Sequence, residues 1–219
     1  MVIPSSLSLV QLHSGQMKVF QSPHRFKVVC AGRRWGKSRL SISTIIRAAA
    51  KEKKQRVWYV APTYQMARQI LWDDLQEVLP RKWVRKKNDT TMTIVLKNGS
   101  EIALKGADKP DTLRGVALHF VVLDEFQDMK ADTWYKVLRP TLSSTRGGAL
   151  IIGTPKGFSE FHKLWTIGQN VELQRKGQWK SWQFVTADSP FVPTAEIEAA
   201  KNDMDPKSFA QEYLASFEN

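Results

Sequence analysis

The sequence predicts an α/β fold: a mainly parallel sheet flanked by helices, with an antiparallel hairpin extending it. Three observations carry that prediction. From residue 26 onward, short and nearly continuous apolar runs alternate with longer segments of helical period, which is the pattern of strands covered on both faces. Asn98-Gly99 stands between two β-prone runs and signals a tight hairpin whose two turn positions want positive φ. The composition agrees, because 219 residues that are 42% hydrophobic, with eight Trp and ten Phe, can build a real core.

The elements follow in order. Residues 26–30 read as a buried strand. Residues 37–50 read as a helix, because Leu40, Ile42, Ile45, Ile46 and Ala49 recur at helical spacing. A basic loop over 51–56 leads to a strand at 57–61, which Pro62 ends. A helix over 64–79 is stopped by Pro80. The runs 91–96 and 101–105 flank the hairpin turn. A buried strand at 119–123, a helix at 131–138, a strand at 149–154, a helix at 158–167 and a last strand at 182–186 come next. Residues 194–217 read as two short helices broken at Pro206. The expected division is a core over 1–190 and a small helical lid or linker over 191–219.

Composition also excludes several classes. One cysteine rules out a disulfide framework and suits a reducing compartment. No run approaches the ~20 apolar residues of a membrane helix. The start, Met1-Val2-Ile3-Pro4, lacks the basic and apolar regions of a signal peptide. A formal charge of +12 points to a polyanionic partner, most often nucleic acid.

The first chemical motif is Ala31-Gly32-Arg33-Arg34-Trp35-Gly36-Lys37-Ser38, set between a strand and a helix. That is the context of a Walker A phosphate loop (P-loop). Gly32 and Gly36 let backbone N–H groups wrap a phosphate, and the helix N-terminus adds partial positive charge. Lys37 supplies a point charge to the β- and γ-phosphates of a nucleotide, and the Ser38 hydroxyl is placed to ligand Mg²⁺. The motif departs from the general pattern at Ala31, which stands where the first glycine usually is. Its two arginines are also unusual, and either Arg33 or Arg34 can reach a γ-phosphate.

The second motif is Phe120-Val121-Val122-Leu123-Asp124-Glu125, an apolar run ending in two carboxylates. A parallel strand delivers such residues to the carboxyl edge of the sheet. Asp124 then serves the Mg²⁺ shell and Glu125 orients a water for attack on the γ-phosphorus. Ile151-Ile152-Gly153-Thr154-Pro155 is a further strand ending in a small polar turn, and the Thr154 hydroxyl can sense the γ-phosphate or its water.

Taken in order, the phosphate loop, Ala61-Pro62-Thr63-Tyr64, Leu113-Arg114-Gly115, the acidic pair and Gly153-Thr154-Pro155-Lys156-Gly157 resemble the ATPase domain of the large terminase subunit of tailed bacteriophages. The resemblance covers nearly the whole chain. It implies a P-loop NTPase of the additional-strand, RecA-like type. It implies ATP and Mg²⁺, double-stranded DNA translocated into a procapsid, and work in the host cell cytoplasm. The implied partners are other copies in a homo-oligomeric ring, a portal and a small terminase subunit. It further implies that Gln16 reads the adenine edge, that Arg114 is an arginine finger acting on a neighbour's ATP, and that Arg34, in competition with Arg33, contacts the γ-phosphate. The chain stops at Asn219, where the resemblance places the start of a nuclease domain, so no DNA cleavage is expected of it.

Arg81-Lys82-Trp83-Val84-Arg85-Lys86-Lys87 holds five basic residues, and reads either as a solvated loop or as a grip on DNA phosphates. Two rival functions stay open. Asp124-Glu125-Phe126-Gln127-Asp128 also resembles the acidic box of superfamily-one helicases, although the later Gly-Asp-x-x-Gln box and a second motor domain are missing. A nucleotide-gated binding module that does not hydrolyse is the other, and Glu125 argues against it.

Overall fold

The computed structural model describes residues 9–218. The Met1–Pro4 reading lies outside them. In chain order the elements are α1 (Ser14–Gln21), β1 (Phe26–Ala31), α2 (Lys37–Lys51), β2 (Arg56–Ala61), α3 (Tyr64–Ala67), α4 (Asp73–Val78), β3 (Val84–Asn88), β4 (Thr93–Leu96), β5 (Glu101–Gly106), β6 (Phe120–Asp124), α5 (Arg139–Thr141), β7 (Gly148–Gly153), α6 (Glu160–Gly168), α7 (Val171–Arg175), β8 (Trp179–Phe184), α8 (Thr194–Asp203) and α9 (Pro206–Tyr213). The fold is mixed α/β with mainly parallel strands flanked by helices, as the apolar runs predict.

The chain forms two compact units. The first holds residues 9–11, Ser38–Asp124 and Asp128–Ala149. Its strand order is β3-β4-β5-β2-β6. Strand β2 runs parallel to β5 and to β6, with Tyr59 opposite Leu104 and Val122. These central strands are apolar on both faces, which is why their sequence shows no alternation. Helix α3 packs on β2 and β5.

The hairpin β4-β5 is present and antiparallel, but its turn differs from the two-residue form. Leu96 N–H donates to Ser100 O at 2.8 Å and Gly99 alone carries positive φ, 84°. The loop is therefore Lys97-Asn98-Gly99, three residues with glycine at the left-handed place. Strand β3 was not expected. It lies inside the basic stretch, pairs antiparallel with β4, and exposes Arg85, Lys86 and Lys87. An edge strand with so little burial leaves no apolar period to read, and its charges deter pairing with another chain.

The second unit holds Leu12–Lys37, Glu125–Gln127 and the residues from Leu150 on. Its strand order is β7-β1-β8, with β1 parallel to β8 from Phe26↔Trp179 to Ala31↔Phe184. Strand β8 starts three residues before the predicted 182, because Trp179 packs its ring on Phe26 at 4.9 Å. Helix α6 covers β1 and β8. The two short C-terminal helices are α8 and α9, and Asp205 caps α9 by accepting from Ser208 N–H at 2.9 Å.

Some helices depart from the α-form. The segment 64–79 contains a π-helical turn at Arg68–Trp72, and the predicted helix 131–138 is π-helical over Thr133–Leu138. Helices α1 and α7 were not anticipated. The N-cap of α1 is His13, a residue type that does not announce a helix start.

Cys30 is fully buried in β1, with its thiol 3.6 Å from Ala215 O, and burial pushes its pKa well above the ordinary thiol value. It is expected to resist iodoacetamide at pH 8 in the native protein and to react at the rate of a free thiol once urea unfolds the chain. Rapid alkylation without denaturant, followed by mass spectrometry, would contradict this placement. Among the described residues no helix is long and apolar enough to cross a membrane.

Candidate phosphate site

In the second unit, the strand-to-helix loop after β1 is held from three sides. Gln16 is fully buried. Its Oε1 accepts from His13 N–H at 2.9 Å and its Nε2 donates to Gly36 O at 2.8 Å. His13 Nε2 lies 2.9 Å from Trp35 O. Trp35 is itself fully buried, stacked on Phe184 at 4.6 Å with its edge neighbour His13 at 5.0 Å. Its ring therefore anchors the loop from beneath and offers no face to a ligand. Arg34 (φ 56°) and Gly36 (φ 103°) are left-handed, the backbone form that turns successive N–H groups toward one point. A Cβ at position 36 would overlap the Gln16 amide, so glycine is needed there on two counts.

The two arginines are distinguished. Arg33 Nε is ion-paired with Glu212 of α9, and its backbone N–H donates to Glu212 O at 2.7 Å. The hydrogen bond to Glu212 first, and its charge second, raise the Arg33 guanidinium above its ordinary pKa. Thr186 Oγ1 donates to Arg33 O at 2.9 Å. Arg34 is exposed and, among the described residues, takes part in no ion pair.

Lys37 Nζ donates to Thr154 Oγ1 at 2.9 Å, and to Ala31 O and Gly32 O at 3.2 and 3.3 Å. Thr154 is buried just past β7, and its N–H donates to Gln127 Oε1 at 3.2 Å. Gln127 Nε2 donates to Glu125 Oε2 at 2.5 Å. Glu125 itself sits at φ 52°, a left-handed conformation that costs a non-glycine residue about 1–3 kcal/mol. A cation, a hydroxyl, an amide and a carboxylate thus form one continuous polar chain in this unit.

In the first unit, Asp124 ends β6 with 1% of its surface exposed. Tyr59 Oη donates to Asp124 Oδ2 at 2.7 Å and fixes the carboxylate's plane. Ser38 is half-buried in the first turn of α2. A buried carboxylate and a serine hydroxyl are oxygen donors of the kind that Mg²⁺ takes beside water and substrate phosphates. Among the described residues no cluster of three or more His, Cys, Asp or Glu side chains forms a cage for a metal without a substrate. Arg114 is exposed and its Nε pairs with Asp111 Oδ1 at 3.0 Å, just before Gly115 at φ 77°.

Sequence reasoning missed Tyr59, Gln127, His13 and Glu212. Tyr59 had one signal, a hydroxyl inside an otherwise apolar strand. Glu212 had none, because its partner Arg33 is 179 residues away.

A family model described as terminase large subunit, T4likevirus-type, N-terminal, matches residues 28–219. The terminase large subunit of Thermus phage G20c is 33% identical over 176 residues, covering 71% of this chain and 36% of the relative, so this chain spans about a third of that protein's length. Among solved structures, the ATPase domain of the Thermus phage P74-26 large terminase superposes with a TM-score of 0.80 at 26% identity, covering 94% of each chain. The large terminase of another thermophilic bacteriophage, solved in complex with ATP-γ-S, shares the fold with a TM-score of 0.74 at 17% identity, over 94% of this chain and 52% of that one.

Proposed function

Because this chain belongs to the family of terminase large-subunit N-terminal domains, we propose that it is the ATP-hydrolysing motor part of a viral DNA-packaging machine. The observation that carries the reading is the polar chain from Lys37 through Thr154 and Gln127 to Glu125. A phosphate-loop lysine, a hydroxyl and a base-type carboxylate are the parts that phosphoryl transfer to water requires.

The roles follow from position. The N–H groups of Gly32, Arg33 and Trp35 already serve Phe184 O, Glu212 O and Gly32 O, so those of Arg34, Gly36 and the first turn of α2 are the ones to cradle the β-phosphate, and Lys37 neutralises charge on the β- and γ-oxygens. Gln16 is fully buried with Oε1 and Nε2 each bonded to backbone, so it holds the loop at Gly36, and its remaining N–H and lone pair reach an adenine edge only if the loop opens. Ser38 and Asp124 are the residues to hold Mg²⁺, which supplies charge neutralisation and phosphate alignment when bound. Tyr59 keeps Asp124 oriented for that duty. Glu125 holds and polarises the attacking water. Arg34, free of the ion pair that occupies Arg33, is the better-placed γ-phosphate contact. Arg114, exposed beside a left-handed glycine, acts on the ATP of an adjacent copy in a ring. Residues 1–190 form the catalytic core and 191–219 the lid or linker. Double-stranded DNA, a portal and a small terminase subunit are the partners. The exposed basic strand β3 suits sequence-independent phosphate contact, as a motor that moves any sequence needs.

Steady-state ATP hydrolysis measured against protein concentration, with and without duplex DNA, tests this. The specific rate is expected to rise with concentration, and Arg114→Ala to lose it by about 10³-fold while still binding ATP. A rate per molecule that is flat in concentration and untouched by Arg114→Ala would reject the ring site in favour of a self-contained helicase-like ATPase.

A further inference from the structure

We infer that Gln127 is a positioning residue that reports the occupancy of the phosphate site to Glu125; this rests on the hydrolytic reading above. Its amide bridges a backbone donor and a carboxylate acceptor. Oε1 accepts from Thr154 N–H and Nε2 donates to the Glu125 carboxylate. A primary amide is suited to this because it presents an acceptor and two donors on one rigid plane. Rotating it by half a turn would set its oxygen against the carboxylate and its NH₂ against an N–H, so the orientation has a single solution.

The surroundings are built for that side chain. A Cβ on Gly153 would overlap Gln127 Oε1, so the last residue of β7 must be glycine for the amide to reach Thr154. Phe126, 1% exposed, anchors the short turn Phe126–Asp128 that carries Gln127. The left-handed backbone of Glu125 lets its carboxylate meet a side chain two residues on.

The far end of the chain is the nucleotide sensor. Lys37 is shared among Ala31 O, Gly32 O and Thr154 Oγ1. A terminal phosphate competes for Lys37 and offers oxygens to the Thr154 hydroxyl. Any adjustment of Thr154 acts on the bond its N–H makes to Gln127, and through the amide on Glu125. The position at which Gln127 holds the carboxylate thereby depends on the third phosphate. The link adds no chemical step; it positions the group that handles water.

The test uses the whole 219-residue chain. The side-chain NH₂ signal of Gln127 and the backbone N–H signal of Thr154 are followed by ¹⁵N NMR while ATP-γ-S or ADP is added. Both signals are expected to shift with ATP-γ-S and to stay nearly in place with ADP; equal responses to the two overturn the inference. In parallel, Gln127→Met and the near-isosteric Gln127→Glu are expected to bind ATP-γ-S within about threefold of the parent while kcat falls by about 10²-fold, the scale of a 1 Å misplacement. Affinity and kcat falling together indicate a merely structural role and also overturn it. Glu125→Gln separates the two levels. If it abolishes turnover and both Gln127 variants keep the parent kcat, the relay is wrong and the hydrolytic reading stands. If Glu125→Gln turns over at the parent rate, both fall.

Discussion

Lys37→Ala is expected to weaken ATP-γ-S binding by about 10³-fold and leave the fold intact. A unit charge about 4 Å from a phosphate oxygen is worth about 4 kcal/mol at an effective dielectric of ~20, and each 1.4 kcal/mol is tenfold in affinity. The fold loses little, because Lys37 donates to two backbone carbonyls and a hydroxyl, all of them neutral groups. Lys37→Arg is not expected to rescue binding, since a planar fork does not fit a cradle shaped for a point charge. Calorimetric titration with circular dichroism on the same samples checks both halves. An affinity within threefold of the parent would sink the phosphate-loop assignment.

The second large effect is on stability. Trp35→Ala is expected to cost about 3–5 kcal/mol, the range for truncating a buried aromatic, and to lower Tm by on the order of 10 °C for a chain of this size. Trp35 has no exposed surface, and its stacking on Phe184 ties the loop to β8. The same substitution removes the floor under Arg34 and Gly36, so nucleotide affinity falls as well. Trp35→Phe retains the stacking and is expected to lose less than half as much. Thermal unfolding of the three proteins decides it, and a Trp35→Ala protein melting within 2 °C of the parent, a shift worth under about 1 kcal/mol, would show that the ring is not an anchor.

Much of this was legible in the sequence, for identifiable reasons. Strands β1, β2, β6 and β7 were visible because burial on both faces writes uninterrupted apolar runs. The loop ending in Gly36-Lys37-Ser38 was visible because its chemistry is local: the glycine, the cation and the helix start are adjacent. What stayed hidden was long-range or polar. Strand β3 pairs through backbone and shows solvent its charges, so nothing in its side chains marks it. Spacing does not tell Arg33 from Arg34, because the Glu212 carboxylate that pairs with Arg33 is contributed by α9. Gln127 sat in plain view within the acidic motif, but its meaning depends on Gly153 having no side chain.

The attachment of α9 to the phosphate loop has a thermodynamic consequence. Gly32 N–H is closed by Phe184 O and Arg33 N–H by Glu212 O. A Cβ at Gly32 would meet Thr186 Oγ1 at 2.5 Å and Tyr213 O at 2.9 Å, so loop and segment are packed without a gap. Their local unfolding is therefore one cooperative event. Linkage makes the effect reciprocal: whatever stiffens the loop holds α9 in place by the same free energy with which α9 stiffens the loop. A ligand in the cradle and a load on the C-terminal segment draw on a single equilibrium.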